Sequence, residues 1–180
     1  MFTRMDAGTT EEWMAIREET LANQRRVADR ILPMLRELRN HVDGYAVDQL
    51  THSLQTATRA ERAGADDELV VAALCHDLGK FVSTANHAAM SAEILRPYVR
   101  DELYHLILHH QTFQGAHYNH HFGWEADGRE AFRGEPWFDL AATFADEWDQ
   151  TSFDPDYDTL PLEHFEERLR AVFAEPRITK

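Results

Sequence analysis

The sequence predicts an all-α fold, and three observations lead there. Apolar residues recur at three- and four-residue spacing through nearly the whole chain, and no run alternates in the manner of a strand. Capping residues and glycines fall where these periodic segments begin and end. An apolar content of 43%, with four Trp and ten Phe, is enough for one buried core, so residues 1–180 read as a single domain.

The elements follow in order. "TTEEW" offers Thr9 as an N-cap with Glu12 at the reciprocal position, opening a helix to about Asn40 that Pro33 should kink or break. Its stripe is Val27, Ile31, Met34, Leu35 and Leu38, and residues 9–40 form an N-terminal extension to a core at 42–165. Past Gly44, a second helix covers about Ala46 to Gly64 and carries Val47, Leu50, Leu54 and Ala57. Asp66 caps a third, "DELVVAALCHD", which is apolar nearly all round and therefore central, with Gly79 as its C-terminal glycine. A fourth spans about Asn86 to Arg96 before Pro97, and a fifth about Asp101 to Gln111. The stretch "QTFQGAHYNHHFGWEADGRE" reads as a long loop of the kind that forms lids. A sixth helix, Trp137 to Gln150, precedes the turn "TSFDPDYDTLP", and a seventh covers residues 162–174.

A formal charge of −14 and a pI near 5.1 count against nucleic acid and anionic membranes, whose phosphates are neutralised by Lys and Arg. The chain lacks an 18-residue apolar run and a signal-peptide core, so a cytoplasmic protein without a membrane partner is expected. Cys75 is the only cysteine, which agrees with a reducing compartment. The acidic "FDPDYD" lacks the spacing and the closing Glu of an EF-hand and reads as a solvated turn.

Eleven histidines are the outlier, and helical geometry sorts them. His110 shares a face with Leu103, Leu106 and Ile107 and points inward, whereas His109 is rotated by about 100°. His76 follows Leu69, Ala72 and Ala73 inward. His87 opens the fourth helix, and His52 sits on a polar flank with Gln49, Gln55 and Thr56. Asp149 lies on the face of Ala142 and Ala145, while Trp148 follows the packing stripe of Trp137, Ala141 and Phe144. A lone inward histidine is more often a hydrogen-bonded core residue than a ligand, and a buried aspartate needs a cation that Arg or Lys also supplies. Four imidazoles and two carboxylates spread over successive helices instead suit borderline transition metals such as Fe, Mn, Zn or Ni. His41, His105 and His164 read as surface or packing residues.

The order H…HD…H…H…D resembles the HD-domain superfamily in its dinuclear-metal variant. The stretches "QLTHSLQTA", "GADDELVVAALCHDLGK", "NHAAMSAEIL", "LILHH" and "EWDQ" carry the resemblance, with "PLEHF" behind them. They are most similar to the HD-domain oxygenases, represented by 2-amino-1-hydroxyethylphosphonate oxygenases and more distantly by myo-inositol oxygenase. The resemblance implies six metal ligands: His52, His76, Asp77, His87, His110 and Asp149. It makes Asp77 the bridge, with His52, His76 and Asp149 on one ion and His87 and His110 on the other.

By the same resemblance the cofactor is a mixed-valent Fe(II)/Fe(III) pair, and O2 is consumed to cleave a C–C or C–P bond of a small hydroxylated substrate. Asp77 and Lys80 are the candidate catalytic residues, with Lys80 also the contact to a substrate anion. The inositol oxygenases and many HD phosphohydrolases have lysine there; the phosphonate oxygenases do not. The phosphonate enzymes also place a gating tyrosine and a glutamate before the first ligand, where this chain has Val42 and Tyr45, so aminophosphonate specificity does not carry over. Tyr45, Gln111, Gln114, His117, Tyr118, His120 and His121 are the other candidate substrate contacts. Two alternatives stand beside the oxygenase. One is a phosphohydrolase in which the same cage, with Mn, Ni, Mg or ferrous iron, activates water against a phosphoester. The other is a metal-stabilised binding domain without turnover.

Overall fold

A computed structural model describes residues 1–177. Within them are eight α-helices and no strand: α1 (Thr10–Gln24), α2 (Val27–Glu37), α3 (Gln49–Arg62), α4 (Asp67–Cys75), α5 (His87–Leu95), α6 (Asp101–Tyr118), α7 (Phe138–Thr143) and α8 (Leu162–Val172). Short 3-10 turns join several of them, and α7 runs on into a π-helical turn at Phe144–Asp149. None of these helices is long and apolar enough to cross a membrane.

Side-chain caps set three of the starts. Thr9 Oγ1 accepts from the Glu12 amide at 3.3 Å while the Glu12 carboxylate accepts from the Thr9 amide at 3.1 Å. Asp48 accepts from the Thr51 amide at 2.8 Å, so α3 begins at Gln49 rather than Ala46, and Asp66 accepts from the Leu69 amide at 2.9 Å. α4 is the centre of the bundle. Every residue from Leu69 to Cys75 is buried, and α3 packs along it, with α8, α5 and α6 around. Leu74 and Leu78 are fully buried, each contributing about 1.5–3 kcal/mol relative to exposure.

Four expectations need correction. The helix expected over 9–40 is two helices broken at Arg25–Arg26, with Pro33 inside α2. Asp29 and Pro33 both face solvent, so water can replace the bond that Pro33 cannot make. The break instead separates α1, which buries nothing, from α2, which buries Ala28, Ile31, Leu32 and Leu35. Second, α6 continues through the expected loop to Tyr118, because Phe113 joins the core and Gly115 makes room for Asn119. A Cβ on Gly115 would stand 2.7 Å from the Asn119 amide nitrogen. Third, Gly79 is not a left-handed cap. It lies in the 3-10 turn Leu78–Phe81, where a Cβ would stand 2.3 Å from the His87 carbonyl oxygen. Its smallness lets the start of α5 approach the end of α4. Fourth, the helix expected over 137–150 ends in the π turn, marked by the Gln150 amide bonding to the Ala145 carbonyl five residues back.

Candidate metal centre

Five segments converge on one buried point. α3 presents His52, the end of α4 presents His76 and Asp77, α5 begins with His87, α6 brings His110, and the π turn ends on Asp149. All six side chains are buried, His87 the least so at 5% exposure. The π turn buries Phe144, Ala145, Trp148 and Asp149. His109 lies off this point, stacked on Trp137 with His105, and His164 pairs with Glu61 at 3.0 Å.

All four imidazoles are oriented in the same manner. Nδ1 of His76, His87 and His110 lies 2.7–2.8 Å from the carbonyl three residues back, of Ala73, Thr84 and Ile107. His52 Nδ1 reaches the Ser152 carbonyl at 2.9 Å. A carbonyl only accepts, so Nδ1 carries the proton and in the neutral ring Nε2 is a bare lone pair. Those Nε2 atoms face one another: His52 and His76 at 3.1 Å, His87 and His110 at 3.3 Å. Two bare lone pairs at that distance repel unless a cation sits between them. Metal-ligating histidines share this backbone anchoring of the second nitrogen.

Asp77 stands between the two histidine pairs. Its Oδ1 is 3.1 Å from His87 Nε2 and 3.5 Å from His110 Nε2; its Oδ2 is 3.5 Å from both His52 and His76. Asp149 Oδ1 adds to the second group at 3.1 Å from His52 and 3.4 Å from His76. Two donors about 2.1 Å from one ion and at right angles stand about 3.0 Å apart, so these separations suit ligands to shared ions. Asp77 Oδ1 and both Asp149 carboxylate oxygens are buried without a hydrogen-bond partner, a costly arrangement that a cation relieves. Two groups of three, His52–His76–Asp149 and His76–Asp77–His110, each bring ligand atoms close enough to hold an ion, and His76, common to both, can serve one ion only.

The electrostatics record the same shortage of positive charge. Burial pushes the His76 imidazole down, but the Asp77 and Asp149 carboxylates outweigh it and hold His76 up at about 8. Burial raises the two carboxyls, yet His76 in both, with Lys80 at Asp77 and His52 at Asp149, draws each below its usual range. His110 is pushed down by its burial. A proton on His76 thus stands in for part of the missing cation.

The expected substrate contacts divide. Lys80 Nζ lies 2.6 Å from Asp77 Oδ2 and 2.9 Å from Gln49 Oε1. Tyr45, Gln114, His117 and Tyr118, with Gln150 and Phe153, line a cavity of about 130 Å³. Tyr45 stacks on Phe153 at 4.4 Å, and Phe153 stacks on His52 at 4.3 Å, which puts the cavity beside the buried histidines. Gln111, His120 and His121 are exposed and do not line it. Sequence reasoning missed Gln49, whose Nε2 is buried without a partner, and the segment expected to be a solvated turn. Asp154, Asp156 and Asp158 are exposed there, but Ser152 anchors His52 and Gln55 bonds both ways with the Asp154 backbone. One signal was available: an apolar Phe153 inside an otherwise acidic run.

A family model for the HD domain matches residues 50–154, more than half of the chain. No curated protein matches it.

Proposed function

Because the chain belongs to the HD domain family and buries the family's kind of metal cage, it is a metal-dependent enzyme, and we propose that it is a non-haem di-iron oxygenase. Its substrate is a small hydroxylated anion, and O2 is consumed to cleave a C–C or C–P bond. The observation that carries this reading is Asp77, each of whose oxygens faces a separate pair of bare imidazole nitrogens. His52, His76, Asp149 and Asp77 Oδ2 would hold one iron, and His87, His110 and Asp77 Oδ1 the other. When bound, the iron pair supplies Lewis acidity toward the substrate hydroxyl and electrons toward O2.

The chain's own residues do the rest. Lys80 has three N–H donors, of which Asp77 and Gln49 take two, leaving one for the anionic end of the substrate. Burial lowers the Lys80 ammonium's pKa, but Asp77 outweighs it and holds it above its ordinary value, so Lys80 keeps its charge. Tyr45 and Phe153 cover His52 and exclude water from that side. A cavity of about 130 Å³ whose lining includes no lysine or arginine favours a small substrate over a nucleotide.

The test is low-temperature electron paramagnetic resonance on iron-loaded, partly oxidised protein, followed by oxygen-uptake assays with small hydroxylated acids and phosphonates. A mixed-valent di-iron signal that shifts with one of these compounds is expected. Two bound ions without that signal, together with phosphate release from phosphoesters in Mn, Ni or Mg, would replace the oxygenase by a phosphohydrolase.

A further inference from the structure

α6 and the π turn meet twice. Deep in the bundle they bring His110 and Asp149 to the cage. Two helical turns further along α6, His117 meets Asp146, three residues before Asp149. His117 Nε2 lies 2.9 Å from Asp146 Oδ1, and Arg129 Nη1 lies 2.7 Å from the same oxygen. A carboxylate accepts, so the His117 ring proton is on Nε2, and in the neutral ring Nδ1 is a free acceptor. Among the described residues Asp146 is the one hydrogen-bond partner of His117. His117 is one-third exposed and lines the cavity shared with Phe153, whose ring stacks on His52.

We infer that His117 is the proton-transfer residue of this cavity, and that Asp146 and Arg129 are positioning residues that fix its tautomer. The inference rests on the proposed reading of the cage as a centre for a hydroxylated substrate. The substrate O–H bond breaks, an Nδ1–H bond forms, and the resulting imidazolium faces the Asp146 carboxylate. The proton later returns from Nδ1 to the product or to water, so the step is neutral in electrons. The arrangement is that of a general base oriented by a carboxylate, with Arg129 keeping Asp146 from swinging away. Around His117 are Asp146 from the π turn, Arg129 bonded to Asp146 from the 3-10 turn Gly128–Phe132, and Tyr45 and Tyr118, which line the same cavity.

The experiment is side-chain nitrogen NMR of the histidines in zinc-loaded full-length protein across the neutral pH range. The neutral His117 ring is expected to carry its proton on Nε2. Asp146→Leu removes the acceptor that fixes this tautomer, so a share of the neutral rings should then carry the proton on Nδ1. With glycolate as the hydroxylated probe, the His117 ring signals should move toward those of imidazolium. Any of three results would overturn the inference: a wild-type proton on Nδ1, a tautomer unchanged in Asp146→Leu, or His117 signals unmoved by glycolate while those of the cage histidines shift. Zinc content should stay at the wild-type value in His117→Gln; its loss would make His117 a support of the cage instead. Wild-type protein that takes up no zinc would break the reading of the cage, while the ring nitrogens still report the His117 tautomer.

Discussion

α1 and α4 start in the same way and serve different ends. Each is capped by a side-chain oxygen, and each has two acidic residues in its first turn, Glu11 and Glu12 in one, Asp67 and Glu68 in the other. α1 then runs fifteen residues without burying one, and its Trp13, Ile16 and Leu21 face Pro97 and Tyr98 across a groove of about 880 Å³. α4 runs nine residues, buries seven, and delivers His76 and Asp77 to the deepest point of the bundle. Capping signals mark where a helix begins and carry no information about what it packs against. An isolated helix of about fifteen residues is marginal in water, so α1 depends on its cap, whereas α4 is held by its neighbours.

The largest effect should come from breaking the α4 side of this contrast. Asp77→Ala removes the one carboxylate that, among the described residues, faces both histidine pairs, and metal analysis should show bound metal falling from two ions to none. His110→Ala should lose one ion and His109→Ala neither; equal losses would show that the inward face has been assigned to the wrong histidine. Chelation comes next. At a hundredfold excess over Kd, bound metal contributes about 2.7 kcal/mol, so its removal should lower Tm by about 5–10 °C. Hydrogen exchange should then quicken in α3 to α6 and stay unchanged in α1.

The metal-free protein should also show a characteristic pH dependence. His76 has a folded pKa of about 8, above the unfolded value near 6.5, so its contribution is complete below about 6.5 and lost as pH rises through 8. Asp77 and Asp149 have lowered pKa values, so their contribution is lost as pH falls below the ordinary carboxylate range. Added metal must displace the His76 proton, and should therefore bind more tightly as pH rises toward 8. Thermal melts with and without metal at several pH values check both signs.

Two smaller effects sharpen the comparison. Gly79→Ala forces a methyl against the His87 backbone and should cost about 1–3 kcal/mol in denaturant unfolding, with weaker retention of the ion proposed for His87 and His110. Thr9→Ala removes the α1 cap and should cost about 1 kcal/mol or less, seen as faster amide exchange in α1 with metal content unchanged.

Much of this molecule was legible one helix at a time. The inward positions of His76 and His110 follow from apolar residues three, four and seven places back, because periodicity specifies a face. Three of the four imidazole anchors are carbonyls three residues upstream, so they too are local. The continuation of α6 past Gln111 was not legible, since Gly115 and Asn119 carry loop signals that Phe113 overrides by packing. The role of Gly79 was not legible as anything but a C-terminal glycine, because the His87 backbone it makes room for arrives from another helix.

The sequence by itself determined an all-helical chain, the helix starts at Thr9 and Asp66, and the histidines and aspartates that its turns direct inward. Tertiary structure decided that these faces meet at one point and that Asp77 lies between two pairs of Nε2 atoms. It also turned an acidic loop into the anchor of His52 and widened a turn into a π-helix at Asp149. The first set depends on contacts within about one helical turn, which residue order specifies. The second depends on contacts up to a hundred residues apart, as between His52 and Ser152, and only the packing of the whole bundle closes them.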